Sequence, residues 1–168
     1  TAEKLQVIRN YPVERISINP QTMKQETLDI IGRRHTVEQV KSAYHMAREE
    51  GFNNINMDLI LGLPEENVDD VRHTMEELEI LAPDNLTVHT LALKRASRLN
   101  TQKDQYSHLH FERNTAQMMQ VTMDYAKKMG LEPYYLYRQK NMSGNLENIG
   151  YAKPGLEGVY NILIMEEK

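Results

Sequence analysis

The chain of 168 residues has no cysteine. That absence excludes disulfides and any zinc or iron–sulfur site held by thiolates within these residues. Basic residues are too few to outweigh acidic ones, and the formal net charge is -4. This lacks the concentrated positive patch that nucleic acid or an anionic membrane surface requires. No apolar run approaches the roughly 18 residues of a membrane span, and the opening Thr1-Ala2-Glu3-Lys4 has no signal-peptide pattern. A soluble cytoplasmic protein of one domain, residues 1–168, is the expectation. No Gly-x-Gly-x-x-Gly follows a strand, which removes the main sequence support for a dinucleotide fold. Of six histidines only His108 and His110 are closely spaced. Two rings are too few for a metal site, and none is expected.

What is present alternates between strand and helix signals. Arg15 to Asn19 reads as a short strand closed by Pro20, which cannot continue a central ladder. Gln25 to Ile31 reads as a short helix stopped at Gly32. Thr36 then opens a second helix, with Gln39 as its capping-box partner, an apolar stripe of Val40, Ala43, Tyr44 and Ala47, and Gly51 at its end. Asn54 to Leu61 is the strongest strand candidate, broken by Gly62-Leu63-Pro64. A helix with Val68, Val71, Met75, Leu78 and Leu81 on one face follows and ends at Pro83. Leu86 to Leu93 is a third strand. A polar stretch from Lys94 to Ser107 precedes a helix from about Phe111 to Met129 with Gly130 as its stop, and Pro133 to Tyr137 and Val159 to Met165 are weaker strands. This order specifies an α/β fold with a parallel sheet and helices outside. Four or five βα units fall short of a closed barrel of about 250 residues, which leaves an open doubly wound sheet or part of a TIM-like barrel.

In parallel sheets ligands sit at the carboxyl ends of the strands, which points to four positions. Gln21 follows the first strand, Arg33 ends the short helix, Asp58 interrupts an apolar strand, and Ala92 is a small residue near the end of the third. An amide, a guanidinium, a carboxylate and a small residue suit a zwitterionic ligand carrying a sugar and an amino acid. The plainer alternatives are a turn cap or lysine partner for Asp58, a solvated helix end for Arg33 beside Arg34, and a local hydrogen bond for Asn56. Pro133-Tyr134-Tyr135-Leu136-Tyr137-Arg138-Gln139-Lys140 is aromatic and basic, yet a half-buried strand edged by tyrosines explains it as well as base stacking does. Met118 and Met119 read as adaptable core filling.

Three runs carry a family resemblance: Arg15-Ile16-Ser17-Ile18-Asn19-Pro20-Gln21-Thr22, Leu28-Asp29-Ile30-Ile31-Gly32-Arg33, and Ala47 to Pro64 with Asn56-Met57-Asp58-Leu59-Ile60-Leu61-Gly62-Leu63-Pro64. In order and spacing the sequence resembles the oxygen-independent coproporphyrinogen III oxidases, most of all their HemZ or coproporphyrinogen dehydrogenase-like branch. Val13 to Leu93 carries it strongly, and Tyr134 to Glu167 looks like the same branch. The resemblance implies a radical S-adenosylmethionine (radical SAM) barrel. In it a 4Fe-4S cluster cleaves S-adenosylmethionine and the resulting radical takes hydrogen from a propionate of coproporphyrinogen III, which loses carbon dioxide to leave a vinyl group in heme biosynthesis. It implies a porphyrinogen substrate and an electron donor as partners, and no nucleic acid or membrane. By position it assigns cofactor contacts to Gln21, to Arg33 at the methionine carboxylate, to Asp58 at the ribose hydroxyls and to the backbone of Ala92. It assigns no catalytic residue.

The sequence departs from the family in two ways. Asn19-Pro20 replaces the commoner Gly-Val before Gln21, and the Cys-x-x-x-Cys-x-x-Cys loop that holds the cluster is absent. The expectation is therefore a segment of a longer protein, the C-terminal portion of the barrel, catalytically inert by itself and with an unpaired sheet edge that favours dimerisation. Arg95, Arg98 and Arg138 are chemically suited to substrate propionates. The competing readings are a heme-trafficking protein with the same barrel and an unrelated parallel-sheet binding module.

Overall fold

The computed structural model describes residues 2–90, 102–138 and 147–166. In chain order the elements are α1 (Ala2–Arg9), β1 (Ile16–Gln21), α2 (Gln25–Ile30), α3 (Val37–Glu49), β2 (Ile55–Leu61), α4 (Val68–Leu81), β3 (Asn85–Thr90), α5 (Gln102–Lys128), β4 (Glu132–Arg138), β5 (Glu147–Ala152) and α6 (Val159–Glu166). The strands form one sheet in the order β1-β2-β3-β5-β4. β1, β2 and β3 are parallel neighbours, as helical crossovers require. β5 lies antiparallel between β3 and β4, so β4 runs in the direction of the first three. The sheet is therefore mixed rather than wholly parallel: the α5 crossover sets β4 one place away from β3, and the chain returns from β4 into the gap.

Other boundaries also differ from the sequence expectation. Val159 to Met165 is helical, within α6, and the strand of this region is β5. β1 runs through Pro20 to Gln21, which is possible because Pro20 sits at a register shift on a sheet edge, where its missing N–H interrupts no continuous ladder. α5 starts at Gln102, well before Phe111. β3 ends at Thr90; the remainder of the expected strand, to Leu93, lies outside the described residues.

Strand alternation sorts the sheet into two unlike faces. Ile55, Met57, Leu59 and Leu61 of β2, Leu86 and Val88 of β3 and Tyr151 of β5 form the apolar face. The helices cover it with Val40, Tyr44 and Ala47 of α3, with Val71, Met75, Leu78 and Leu81 of α4, and with Met118 and Ala126 of α5. Side chains as fully buried as Met57, Met75 and Leu78 each stabilise the fold by about 2 kcal/mol. Thr36 and Gln39 close the expected capping box on α3, and Asn67 with Asp70 makes a second one on α4. Among the described residues no helix is long and apolar enough to cross a membrane.

One polar knot sits at the amino-terminal ends of β2 and β3. The Asp84 carboxylate accepts from the Ile55 amide at 3.0 Å, from Arg48 Nη1 at 2.7 Å and from Lys153 Nζ at 2.8 Å. Arg48 in turn donates to the Tyr44 hydroxyl and to the carbonyls of Phe52 and Ala82. Burial pushes the Asp84 carboxyl up, but Arg48, Lys153 and the Ile55 amide outweigh it and hold it below the usual carboxylate value.

Candidate functional site

The face of the sheet opposite the helices is polar, and this follows directly from the sequence. The residues that alternate with the buried apolar ones are Asn56, Asp58 and Ile60 in β2, then Asn85, Thr87 and His89 in β3, so that Ile60 is the apolar member of this set. Register aligns them across strands. Asp58, Thr87, Gly150 and Tyr135 form one row, and His89, Asn148 and Tyr137 stand in the next. All of these but Gly150, together with Arg15, Ser17, Asn56 and Asn161, line an open cavity of ≈ 430 Å³.

Hydrogen bonds fix the orientation of the carboxylate. Asn56, buried in β2, donates from Nδ2 to Asp58 Oδ1 at 2.5 Å and to Ser17 Oγ at 3.3 Å, and its Oδ1 accepts from Thr87 Oγ1 at 3.0 Å. A buried amide with each of these atoms engaged can hold only one orientation. Asp58 Oδ2 is left facing His89 Nε2 at 4.0 Å, while His89 Nδ1 is 2.8 Å from Asn148 Oδ1. The Tyr135 ring lies over Gly150: a Cβ there would stand 1.9 Å from the ring's Cε1, so only glycine fits. Burial raises the Tyr135 phenol above its ordinary value, against the opposing influence of the Thr87 hydroxyl. Arg15 Nε, buried at the edge of the cavity, has no protein partner. The whole is a pocket of fixed hydrogen-bonding groups with one carboxylate oxygen turned inward, suited to hydroxyls and amines.

Of the four sequence candidates, Asp58 lines this cavity. Gln21 is buried at the end of β1 with a left-handed backbone, φ 69, a conformation that costs a residue other than glycine about 1–2 kcal/mol. Arg33 is exposed just past Gly32, whose φ of 70 ends α2. Neither lines the cavity with Asp58. Ala92 lies outside the described residues, as do Arg95 and Arg98 and the side chain of Arg138. His89, Thr87, Asn148 and Tyr135 were not anticipated. The period-two polarity of Asn85, Thr87 and His89 was available as a signal for β3, whereas Asn148 and Tyr135 join the site only through the inserted β5.

A search of family models matches the Radical SAM superfamily over residues 1–78. The chain is 54% identical over 167 residues to the oxygen-independent coproporphyrinogen-III oxidase-like protein HemZ of Bacillus subtilis, covering 99% of this chain and 33% of that protein. It is 28% identical to the heme chaperone HemW of the same organism, covering 96% of this chain and 40% of that one. Among solved structures, coproporphyrinogen III oxidase HemN of Escherichia coli, a radical SAM enzyme, superposes with a TM-score of 0.66 at 20% identity, over 92% of this chain and 33% of that one. The chain thus spans about a third of the length of the HemZ and HemN proteins it matches. Residues 1–78 thus match the Radical SAM superfamily, and nearly the whole chain is similar to the oxygen-independent coproporphyrinogen-III oxidase-like protein HemZ.

Proposed function

We propose that this segment forms the S-adenosylmethionine-binding part of a radical SAM enzyme that oxidatively decarboxylates propionates of coproporphyrinogen III to vinyls. The observation that carries the reading is the Asp58 carboxylate, with Oδ1 tied to Asn56 and Oδ2 open to a polar cavity. A carboxylate so held accepts hydrogen bonds from the two neighbouring hydroxyls of a ribose, and the donor set around it suits such a ligand. By the resemblance, Arg33 is assigned the ligand's carboxylate, which a guanidinium can meet with two parallel hydrogen bonds, Gln21 a further contact to the cofactor and the backbone of Ala92 its base. Bound S-adenosylmethionine, reduced by a cluster, supplies the radical chemistry, and the protein binds, orients and shields.

An iron–sulfur cluster does not fit the residues present, because the chain contains no cysteine. The cluster ligands belong to other parts of the intact protein on this reading, and the segment by itself is inert. A porphyrinogen, an electron donor and a cytoplasmic setting go with the proposal. The similarity to the heme chaperone HemW favours one competing reading, heme handling by the same barrel.

The test uses the intact protein, reconstituted anaerobically with iron and sulfide and supplied with reductant, S-adenosylmethionine and coproporphyrinogen III. Release of 5'-deoxyadenosine together with vinyl product is expected, and Asp58→Ala is expected to lower both at least tenfold. Stoichiometric heme binding without turnover of the porphyrinogen would replace the enzyme reading with the chaperone one.

A further inference from the structure

Two residues other than glycine hold left-handed backbone at the carboxyl ends of β1 and β2: Gln21 (φ 69) and Glu65 (φ 59). Such conformations persist only where their surroundings over-determine them, and they gather at loops that hold ligands. Here the surroundings are a brace between the two loops. The buried Thr22 donates from Oγ1 to Glu66 Oε1 at 2.5 Å and accepts from the Lys24 amide at 3.2 Å. The Met23 amide donates to Thr74 Oγ1 of α4 at 3.1 Å. Lys24 Nζ reaches the Glu65 carbonyl at 3.2 Å and Asp70 Oδ1 at 3.0 Å.

Glu66 is the carboxyl at the centre of this brace. It faces Thr22, the Lys24–Asp70 pair and the buried Thr27 hydroxyl, which lies near enough to stabilise its charge without forming a hydrogen bond of its own. Burial pushes the Glu66 carboxyl up from its ordinary value, and Asp70 adds to the rise, while Thr22, Thr27 and Lys24 oppose it. A half-buried carboxyl in a connecting loop is costly to keep. Glu66 does not line the cavity on the sheet face, so contact with the ligand there does not account for it.

We propose that Glu66 is a positioning residue for the ligand site: through Thr22 it fixes the left-handed turn at Gln21, so that the β1 and β2 loops meet the ligand as one rigid unit. The inference rests on the S-adenosylmethionine reading and adds a residue that never touches the ligand.

The experiment measures S-adenosylhomocysteine binding by calorimetry in the intact, cluster-loaded protein, with a double-mutant cycle on Gln21. Glu66→Ala removes the acceptor of the Thr22 hydroxyl and is expected to weaken binding about tenfold. Glu66→Gln keeps an acceptor oxygen and is expected to stay within threefold of the unsubstituted protein. Because Glu66 acts through Gln21, Glu66→Ala combined with Gln21→Ala is expected to weaken binding no more than Gln21→Ala alone. Thr22→Val removes the donor to Glu66 together with the acceptor of the Lys24 amide, and gives the same cycle should Glu66→Ala not fold. A lowered melting temperature with unchanged affinity, or losses that simply add, would overturn the inference and leave the ligand reading standing. Absence of binding in the unsubstituted protein overturns the ligand reading and the inference with it.

Discussion

Asn56 is where local chemistry decides most. Its amide meets three partners, and loss of the side chain leaves both the Thr87 hydroxyl and Asp58 Oδ1 without it inside the sheet. Unpaired buried polar groups are what make such a change expensive. Asn56→Ala is therefore expected to destabilise the fold by about 2 kcal/mol, read from urea denaturation with an unchanged slope. Thr87→Val takes away a single donor and is expected to cost about 1 kcal/mol. Gly150 makes the opposite kind of prediction. Any Cβ there collides with the Tyr135 ring, so Gly150→Ala is expected to lose about 2 kcal/mol by overpacking. Adding Tyr135→Ala should remove that clash, making the double variant more stable than the two single losses predict when thermal melts are compared. Asp58 was legible in the sequence because a charge inside an apolar strand stands out. Its partners were not: Asn, Thr and His are ordinary on a half-exposed strand, and only the register of β2, β3 and β5 makes them neighbours.

At the scale of elements, Asp84 joins α3 through Arg48, β2 through the Ile55 amide and the end of β5 through Lys153. Because its folded value is depressed, the stabilisation is fully present above the unfolded carboxylate value. It is lost as pH falls through the lower folded one. Stability is therefore expected to drop below about pH 4, the ordinary range of an aspartate. In Asp84→Asn that part of the acid dependence is expected to flatten, with a loss of about 3 kcal/mol at neutral pH from leaving Arg48 and Lys153 without their anion. Chemical denaturation at a series of pH values reads both effects. Elements with strong local signals were legible for the same kind of reason: the Thr36–Gln39 box, the apolar stripe of α4 and the alternation of β2 each state their structure within a few residues. β5 was hidden because Gly150 argues against a strand, although the facing tyrosine ring requires it. α6 reads as a strand by composition, since Val159, Ile162 and Ile164 are β-branched, and yet the segment is helical, which shows how weakly such propensity binds a short element. The first turns of α5 were hidden by the polar composition of Gln102 to Ser107, which lacks the apolar stripe that marks the rest of the helix.

At the scale of the molecule, among the described residues the sheet ends in two strands with one unpaired side each, β1 and β4. Exposed Leu136, Val159, Tyr160 and Leu163 add apolar surface on β4 and α6. Open edges invite pairing with another chain, and apolar surface strengthens the contact. The HemZ relative is about three times as long as this chain, so a protein of that length has further residues with which to cover both. With these edges open, the 168-residue chain is expected to self-associate through β1, with sedimentation equilibrium showing dimers that grow with concentration. The Ile16 amide donates to the carbonyl of Asn54, just before β2, and alternation along a parallel ladder turns the neighbouring Ser17 amide outward. Ser17→Pro deletes that outward donor while leaving the β1–β2 hydrogen bonds in place, and it is expected to shift the segment to monomer without unfolding it. A dimer that persists in Ser17→Pro would assign the contact to the apolar surface of β4 and α6 instead, and Tyr160→Lys would then be the substitution that dissolves it.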